Sequence, residues 1–211
     1  MAWIKMTFRI EEKLYIKTEN LIDFKDFLNK KSAKKMHERR IIKSLYFDNI
    51  NLDMYNDSIE GLVPRKKIRI RQYPVTKDKN FYLEVKNSAV EGRYKTRKII
   101  NKNSFDNYKK IGIFDNQYGV CLPNFYVTYE RDYLIIDDVR ISIDKNLVYE
   151  NYKSSCVYKD NNSIVEIKTS IKKDLDNLIK LFPFQRIRFS KYCFAVDSLS
   201  YKSTNWSGLN Y

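Results

Sequence analysis

In the run Arg65-Lys66-Lys67-Ile68-Arg69-Ile70-Arg71, Arg65, Lys67, Arg69 and Arg71 recur at every second position. Side chains of a β-strand alternate between its two faces, so these four stand together and Ile68 and Ile70 point the other way. Like charges side by side repel, and no carboxylate lies within the run to offset them. Such a face is either simply solvated or built for a polyanion. Phe81 to Lys86 repeats the arrangement, with Tyr82, Glu84 and Lys86 in front and Phe81, Leu83 and Val85 behind; after Gly92, Arg93, Lys95 and Arg97 share a face. Three consecutive strands then present cations on one side. Guanidinium groups bind phosphate oxygens in pairs, and lysines add point charges.

The carboxylates on these fronts matter as much. Glu11, Glu84, Asp144 and Glu166 alternate with cations along their own strands. As ion-pair partners they need no further explanation. For Glu166 and Glu11 the alternative is a hard divalent cation, Mg²⁺ or Mn²⁺, bound together with substrate phosphates. No glycine-rich phosphate loop is present, so side chains would have to hold a nucleotide. The single histidine, His37, falls in a basic polar stretch with no partner motif and reads as a surface residue rather than a base or ligand.

Alternating patterns place strands over Met6 to Ile16, Ile41 to Asp48, Arg65 to Tyr73, Phe81 to Lys86, from Gly92 onward, Phe125 to Ile136, Val139 to Asp144, Ser163 to Thr169 and Gln185 to Phe189. In these, Tyr129 and Arg131 share a face, as do Arg140, Ser142 and Asp144, and Glu166 and Lys168. Helices are expected after Thr18 (Leu21, Phe24, Leu28), over Asn49 to Asn56, from a Ser104 cap to Gly112, over Leu175 to Phe182 before Pro183, and from Ser190. Lys30 to Arg40 reads as a basic loop, and Pro74 to Asn80 as a hairpin loop.

The chain has 211 residues, a net charge of +14, 17 Tyr and 12 Phe, but only 5 Gly and 4 Pro. That length fits one domain over 1–211. The charge calls for an anionic partner, and the aromatic content argues against a disordered basic tail. Cys121, Cys156 and Cys193 are odd in number and far apart, offering no disulfide framework or zinc spacing, which points to a reducing compartment. Met1 to Lys5 lacks the apolar core of a signal peptide, and no apolar run approaches the ~20 residues of a membrane helix. A soluble, cytoplasmic protein is expected.

Around eight strands thus share an apolar back and a charged front. An open sheet of that size leaves edges and a large ionic face to water. Closure removes the edges and turns the fronts inward, around water and an anion, because uncompensated buried cations cost several kcal/mol each. The expected fold is α+β, mainly antiparallel β: a closed eight-stranded β-barrel tunnel with flanking helices.

The order of segments resembles the triphosphate tunnel metalloenzymes and, within them, the catalytic domain of the vacuolar transporter chaperone polyphosphate polymerases. The matching stretches are Arg9-Ile-Glu-Glu-Lys13, Tyr46-Phe-Asp-Asn49 with Leu52-Asp-Met-Tyr55, Lys67-Ile-Arg-Ile-Arg71, Tyr82-Leu-Glu-Val-Lys86, Gly92-Arg-Tyr-Lys-Thr-Arg97, Tyr129-Glu-Arg131, Val139-Arg-Ile-Ser-Ile-Asp144, Val165-Glu-Ile-Lys168 and Arg188-Phe-Ser-Lys191. The resemblance implies transfer of the terminal phosphate of ATP onto a growing inorganic polyphosphate chain, with Mn²⁺ or Mg²⁺. It implies catalytic roles for Lys13, Arg69, Arg71, Lys86 and Glu166. Phosphate binding falls to Arg65, Lys67, Lys95, Arg97, Arg131, Arg140, Lys168, Arg188 and Lys191, and metal binding to Glu166 and Glu11. Arg9 stands where many tunnel enzymes carry a first glutamate, which favours the polymerase-like branch. Fungal members have an arginine just after the Tyr55 region; here Asp57, Ser58 and Ile59 stand there, so Arg65 or Lys67 would substitute. A separate membrane subunit, or attachment to the inner face of a membrane, is compatible with the chain. The competing readings are a metal-dependent phosphohydrolase of tripolyphosphate or nucleoside triphosphates, and a non-catalytic polyanion- or RNA-binding module. No RNA-recognition motif is present, and nucleic acid is not an expected partner.

Overall fold

The computed structural model describes residues 9–170 and 175–200. The expected strand start at Met6, the side chains of Phe8 and Arg9, and the reading of Met1 to Lys5 lie outside the described residues. Ten strands form: β1 (Arg9–Ile16), β2 (Lys34–Asp48), β3 (Arg65–Gln72), β4 (Phe81–Ala89), β5 (Gly92–Ile100), β6 (Ile113–Asp115), β7 (Gly119–Ile136), β8 (Val139–Asn151), β9 (Val157–Asp160) and β10 (Ser163–Ser170). Among the described residues five α-helices accompany them, α1 (Leu21–Lys30), α2 (Asp53–Glu60), α3 (Lys102–Ile111), α4 (Leu175–Leu181) and α5 (Lys191–Ser200), with one 3-10 turn over Thr18–Asn20 before α1. Among the described residues no helix is long and apolar enough to cross a membrane.

Hydrogen-bonded strands follow the order β1-β10-β8-β7-β2-β3-β4-β5, with β6 on β7 and β9 on β8. Among the described residues the path has two ends, so in place of the expected closed eight-stranded barrel they form a ten-stranded sheet that does not close. Its ends show how edges can be protected without closure. On β1, Leu14 bridges to Arg186 and the Ile187 amide donates to the Lys13 carbonyl, so the segment before α5 covers that edge. This contact is all that forms of the strand expected over Gln185 to Phe189, since Pro183 interrupts the approach and only one bridge closes. The other end, β5, carries Arg93, Lys95, Arg97 and Lys98, all exposed, and charged edges discourage pairing with other chains.

The contacts divide the chain into two compact units. The first takes its described residues from 9–41, 129–147, 160–170 and 175–189; the second from 42–128, 148–159 and 190–200. In the first unit, the apolar backs of β1, β8 and β10 (Leu14, Ile16, Val139, Ile141, Ile143, Val165, Ile167) pack on Phe24 and Leu28 of α1 and on Leu178 and Phe182, at and just beyond α4. Each such side chain contributes about 1.5–3 kcal/mol by leaving water, which fixes which face of each strand turns inward. The stretch expected as a loop over Lys30 to Arg40 is strand from Lys34 onward. Its Arg39 guanidinium meets Asp132 of β7 at 2.6 Å and Glu130 at 3.4 Å, and His37 packs its ring on Tyr133, so cross-strand partners outweigh the polar composition. His37 itself is exposed, as expected.

In the second unit, Ile68 and Ile70 of β3 are buried on the side where Phe81 of β4 stacks on Phe105 of α3 at 4.4 Å. The cap of α3 is Asn101, whose side chain accepts from the Ser104 amide at 2.8 Å, so Ser104 is the capped residue rather than the cap. Helix α5 packs on the charged side of β3, where Tyr192 stacks on Tyr46 at 5.4 Å between centroids. Not every helix therefore covers an apolar back.

Candidate functional site

In the first unit, antiparallel pairing sets Lys13 beside Glu166 and Glu11 beside Lys168. It also sets Glu166 beside Ser142 and Lys168 beside Arg140. The alternation that buries Leu14, Val165 and Ile167 therefore gathers these charged groups on one front. Lys168 Nζ lies 3.1 Å from Glu166 and 3.8 Å from Glu11, Lys13 Nζ 3.9 Å from Glu11, and Arg131 Nη2 3.9 Å from Glu166. Lys13 also donates to the Phe189 carbonyl at 2.7 Å. Arg131 is fixed by a two-pronged pair with Asp144, at 2.5 and 2.7 Å. Arg140 and Arg188 are exposed.

The two glutamates hydrogen-bond to one another and titrate apart. Burial, then the hydrogen bond with Glu166 and its negative charge, push the Glu11 carboxyl up against the pull of Lys168 and Lys13. At Glu166 burial opposes ionisation, but the hydrogen bond from Glu11 and the cations Lys168, Arg131 and Lys13 outweigh it and hold the group well below the usual carboxylate range. Two carboxyls pushed in opposite directions thus lie in the place where a hard dication could sit. Among the described residues no cluster of three or more His, Cys, Asp or Glu forms a ready cage. Two carboxylates fit Mg²⁺ or Mn²⁺ only if phosphate oxygens and water complete the coordination, the usual habit of these ions in phosphate chemistry.

In the second unit the ladder aligns Tyr46, Arg69, Glu84 and Arg97 across four strands, with Ser44, Arg71 and Tyr82 on one side and Lys67, Lys86 and Lys95 on the other. Arg69 reaches Glu84 at 2.6 and 2.8 Å and donates to the Tyr46 hydroxyl at 3.0 Å. Lys95 meets Glu84 at 2.5 Å, and Arg71 and Arg97 stand 3.8 and 3.7 Å away. Arg71 also donates to Ser44, and Arg97 stacks on the Tyr82 ring at 3.7 Å. Lys67 donates to Ser190 at 2.7 Å, and burial lowers its pKa. Arg65 is engaged elsewhere, donating to the carbonyls of Gly61 and Leu62 beyond α2. Lys86 is exposed and Lys191 half-buried. Glu84 and Asp144 both prove to be buried ion-pair partners. Tyr46 and Ser44 are additions to the expected set; the alternation Ser44, Tyr46, Asp48 in β2 was the available signal.

Burial opposes the charge on Glu84, yet Arg69, Arg71 and Lys95 bring its pKa from 4.5 down to about 2. A depressed carboxylate stabilises the fold above its unfolded pKa, and that stability is lost as pH falls through the folded value. Melts between pH 5 and 2 should lose roughly 3 kcal/mol from this group. A Glu84→Gln variant should show a correspondingly flatter acid limb.

The fold is thus a mainly antiparallel sheet with an acidic pair among lysines and an arginine in the first unit and a row of arginines and lysines around Glu84 in the second. The sequence matches the VTC domain over residues 8–118 and 91–200, and the chain belongs to the VTC domain family. No curated protein matches it significantly. Among solved structures, a candidate adenylate cyclase from Bacillus halodurans superposes with a TM-score of 0.60 at 12% identity, covering 88% of this chain and 95% of its own. A candidate adenylate cyclase from Vibrio parahaemolyticus gives 0.53 at 11% identity, covering 92% and 99%. A Pyrococcus horikoshii protein gives 0.50 at 12% identity, covering 83% and 92%. Such identities establish shared fold, not shared reaction.

Proposed function

We propose that the chain is a polyphosphate polymerase, with 1–211 acting as one VTC-type domain in the cytoplasm. It would transfer the terminal phosphate of ATP to the end of an inorganic polyphosphate chain. The observation that carries this reading is the Glu11–Glu166 pair ringed by Lys13, Lys168 and Arg131, in a member of the VTC domain family. Glu166, with Glu11, would hold Mn²⁺ or Mg²⁺. That ion, when bound, neutralises charge on phosphate oxygens. Lys13 and Arg131 take phosphate oxygens beside this pair, and Lys168 keeps Glu166 ionised. Arg69, Arg71 and Lys86, with Lys67, Lys95 and Arg97, offer a second set of hydrogen-bond donors to phosphate oxygens; Arg140, Arg188 and Lys191 add charge, and Arg65 the least, being tied to carbonyls.

No general base is needed, because the attacking oxygen of a terminal phosphate is already anionic at neutral pH. The one histidine, exposed on β2, fits that chemistry. The chain's work is to place and screen two polyanions so that they can meet, which is how phosphoryl transfer is generally catalysed. The test is to incubate the purified protein with ATP and Mn²⁺ or Mg²⁺ and size the products. ADP with a ladder of long polyphosphate is expected. Orthophosphate without chain growth would make it a phosphohydrolase, and salt-sensitive binding without turnover a polyanion-binding module.

A further inference from the structure

Four cations converge on one carboxylate in the second unit. Glu84 takes two bonds from Arg69 and one from Lys95, with Arg71 and Arg97 within 3.8 Å. Its side chain is 1% exposed, while those of Lys95 and Arg97 are 41% and 44% exposed. A phosphate could therefore reach the outer cations and would find a fixed negative charge behind them. A carboxylate weakens the binding of any anion in its place, so a face selected only for tight phosphate binding would not keep it. Stability alone is a poor reason as well, because apolar packing commonly does as well as a buried ion pair. The cations themselves supply a better one. Without a counter-ion they repel one another when no ligand is bound, and they would clamp a polyanion too firmly to release it.

We propose that Glu84 is a positioning residue, the built-in counter-ion of this cation row. It holds Arg69 and Lys95 in place when no anion is present and offsets part of their charge, so that a phosphate chain binds reversibly and can advance or leave. The inference rests on reading the row as phosphate-binding.

The experiment is calorimetric titration of the full chain with tripolyphosphate, alongside melting with and without it, for wild type, Glu84→Gln and Glu84→Asp. Glu84→Gln should melt lower than wild type without anion, recover more of its Tm on adding tripolyphosphate, and bind with a Kd about tenfold lower or less, since one opposing charge has gone. If it is unfolded without anion, tripolyphosphate should refold it. Glu84→Asp keeps the charge and should keep a Kd close to that of wild type. In turnover, Glu84→Gln should lower KM and kcat together, as release slows. A lower Tm with an unchanged or higher Kd, or an unfolded variant that tripolyphosphate does not restore, would make Glu84 a structural residue only and leave the phosphate-binding reading standing. Failure of the wild type to bind tripolyphosphate would overturn that reading, and the counter-ion role with it.

Discussion

Glu166→Gln should lower turnover with ATP about a hundredfold or more, because in the role proposed for it Glu166 would hold the divalent ion that screens charge developing during transfer. Gln keeps the shape and most of the burial but cannot stay negative between Lys168 and Arg131. It also removes the negative charge of Glu166 from beside Glu11, so Glu11 should titrate lower than it does beside ionised Glu166. Tripolyphosphate binding without metal should change far less, since Lys13, Lys168 and Arg131 are all kept and Glu11 takes up part of the lost negative charge. Steady-state kinetics across a Mn²⁺ series, with metal-free titration of the same variant, separates the two effects. Full turnover in Glu166→Gln would contradict the assigned role. A large loss of metal-free binding would point instead to collapse of the front.

Asp144→Ala should have the largest effect on stability. The Asp144 side chain is 1% exposed and makes both prongs of the pair that fixes Arg131. Burial acts against the charge on Arg131, and Tyr129 and Asp144 overcome it and raise its pKa. Removing the carboxylate strands a largely buried guanidinium, which costs about 3–5 kcal/mol. For a chain of this length that lowers Tm by roughly 10 °C. Adding Arg131→Met should return much of the lost stability without returning activity, since an apolar side chain tolerates the site and cannot bind phosphate. Thermal melts of the single and double variants check this; a Tm within a degree or two of wild type for Asp144→Ala would show that Arg131 finds another partner.

Much of this site was legible because strand alternation is a local property. Arg69 and Arg71, and likewise Lys95 and Arg97, share a face because residues two apart in a strand point the same way, as Glu84 does with Tyr82 and Lys86, and the apolar residues between them settle which face turns inward. Partner identity was harder to read. That Glu84 serves four cations, and that Asp144 holds Arg131, depends on the register between neighbouring strands, which alternation along one strand does not reveal. Ring closure was expected because open edges are costly, yet the backbone around Arg186 and Ile187 covers β1 without a strand. The basic run from Lys30 to Arg40 reads as a loop because no alternating apolar residues line one side of it, yet it is strand from Lys34. Its partners Glu130 and Asp132 lie some ninety residues away on β7, where local pattern cannot reveal them. Arg65 continues the β3 alternation but turns to the Gly61 and Leu62 carbonyls, a choice that only the preceding turn dictates.

The central claim, that the charged fronts are phosphate-binding faces, is tested most directly by titrating tripolyphosphate into wild type, Arg69→Ala and Arg131→Ala at low and high salt. Saturable binding that weakens with salt, and that each substitution weakens about tenfold or more, is the predicted result. Binding that neither substitution changes, or no binding to the wild type at low salt, would contradict it.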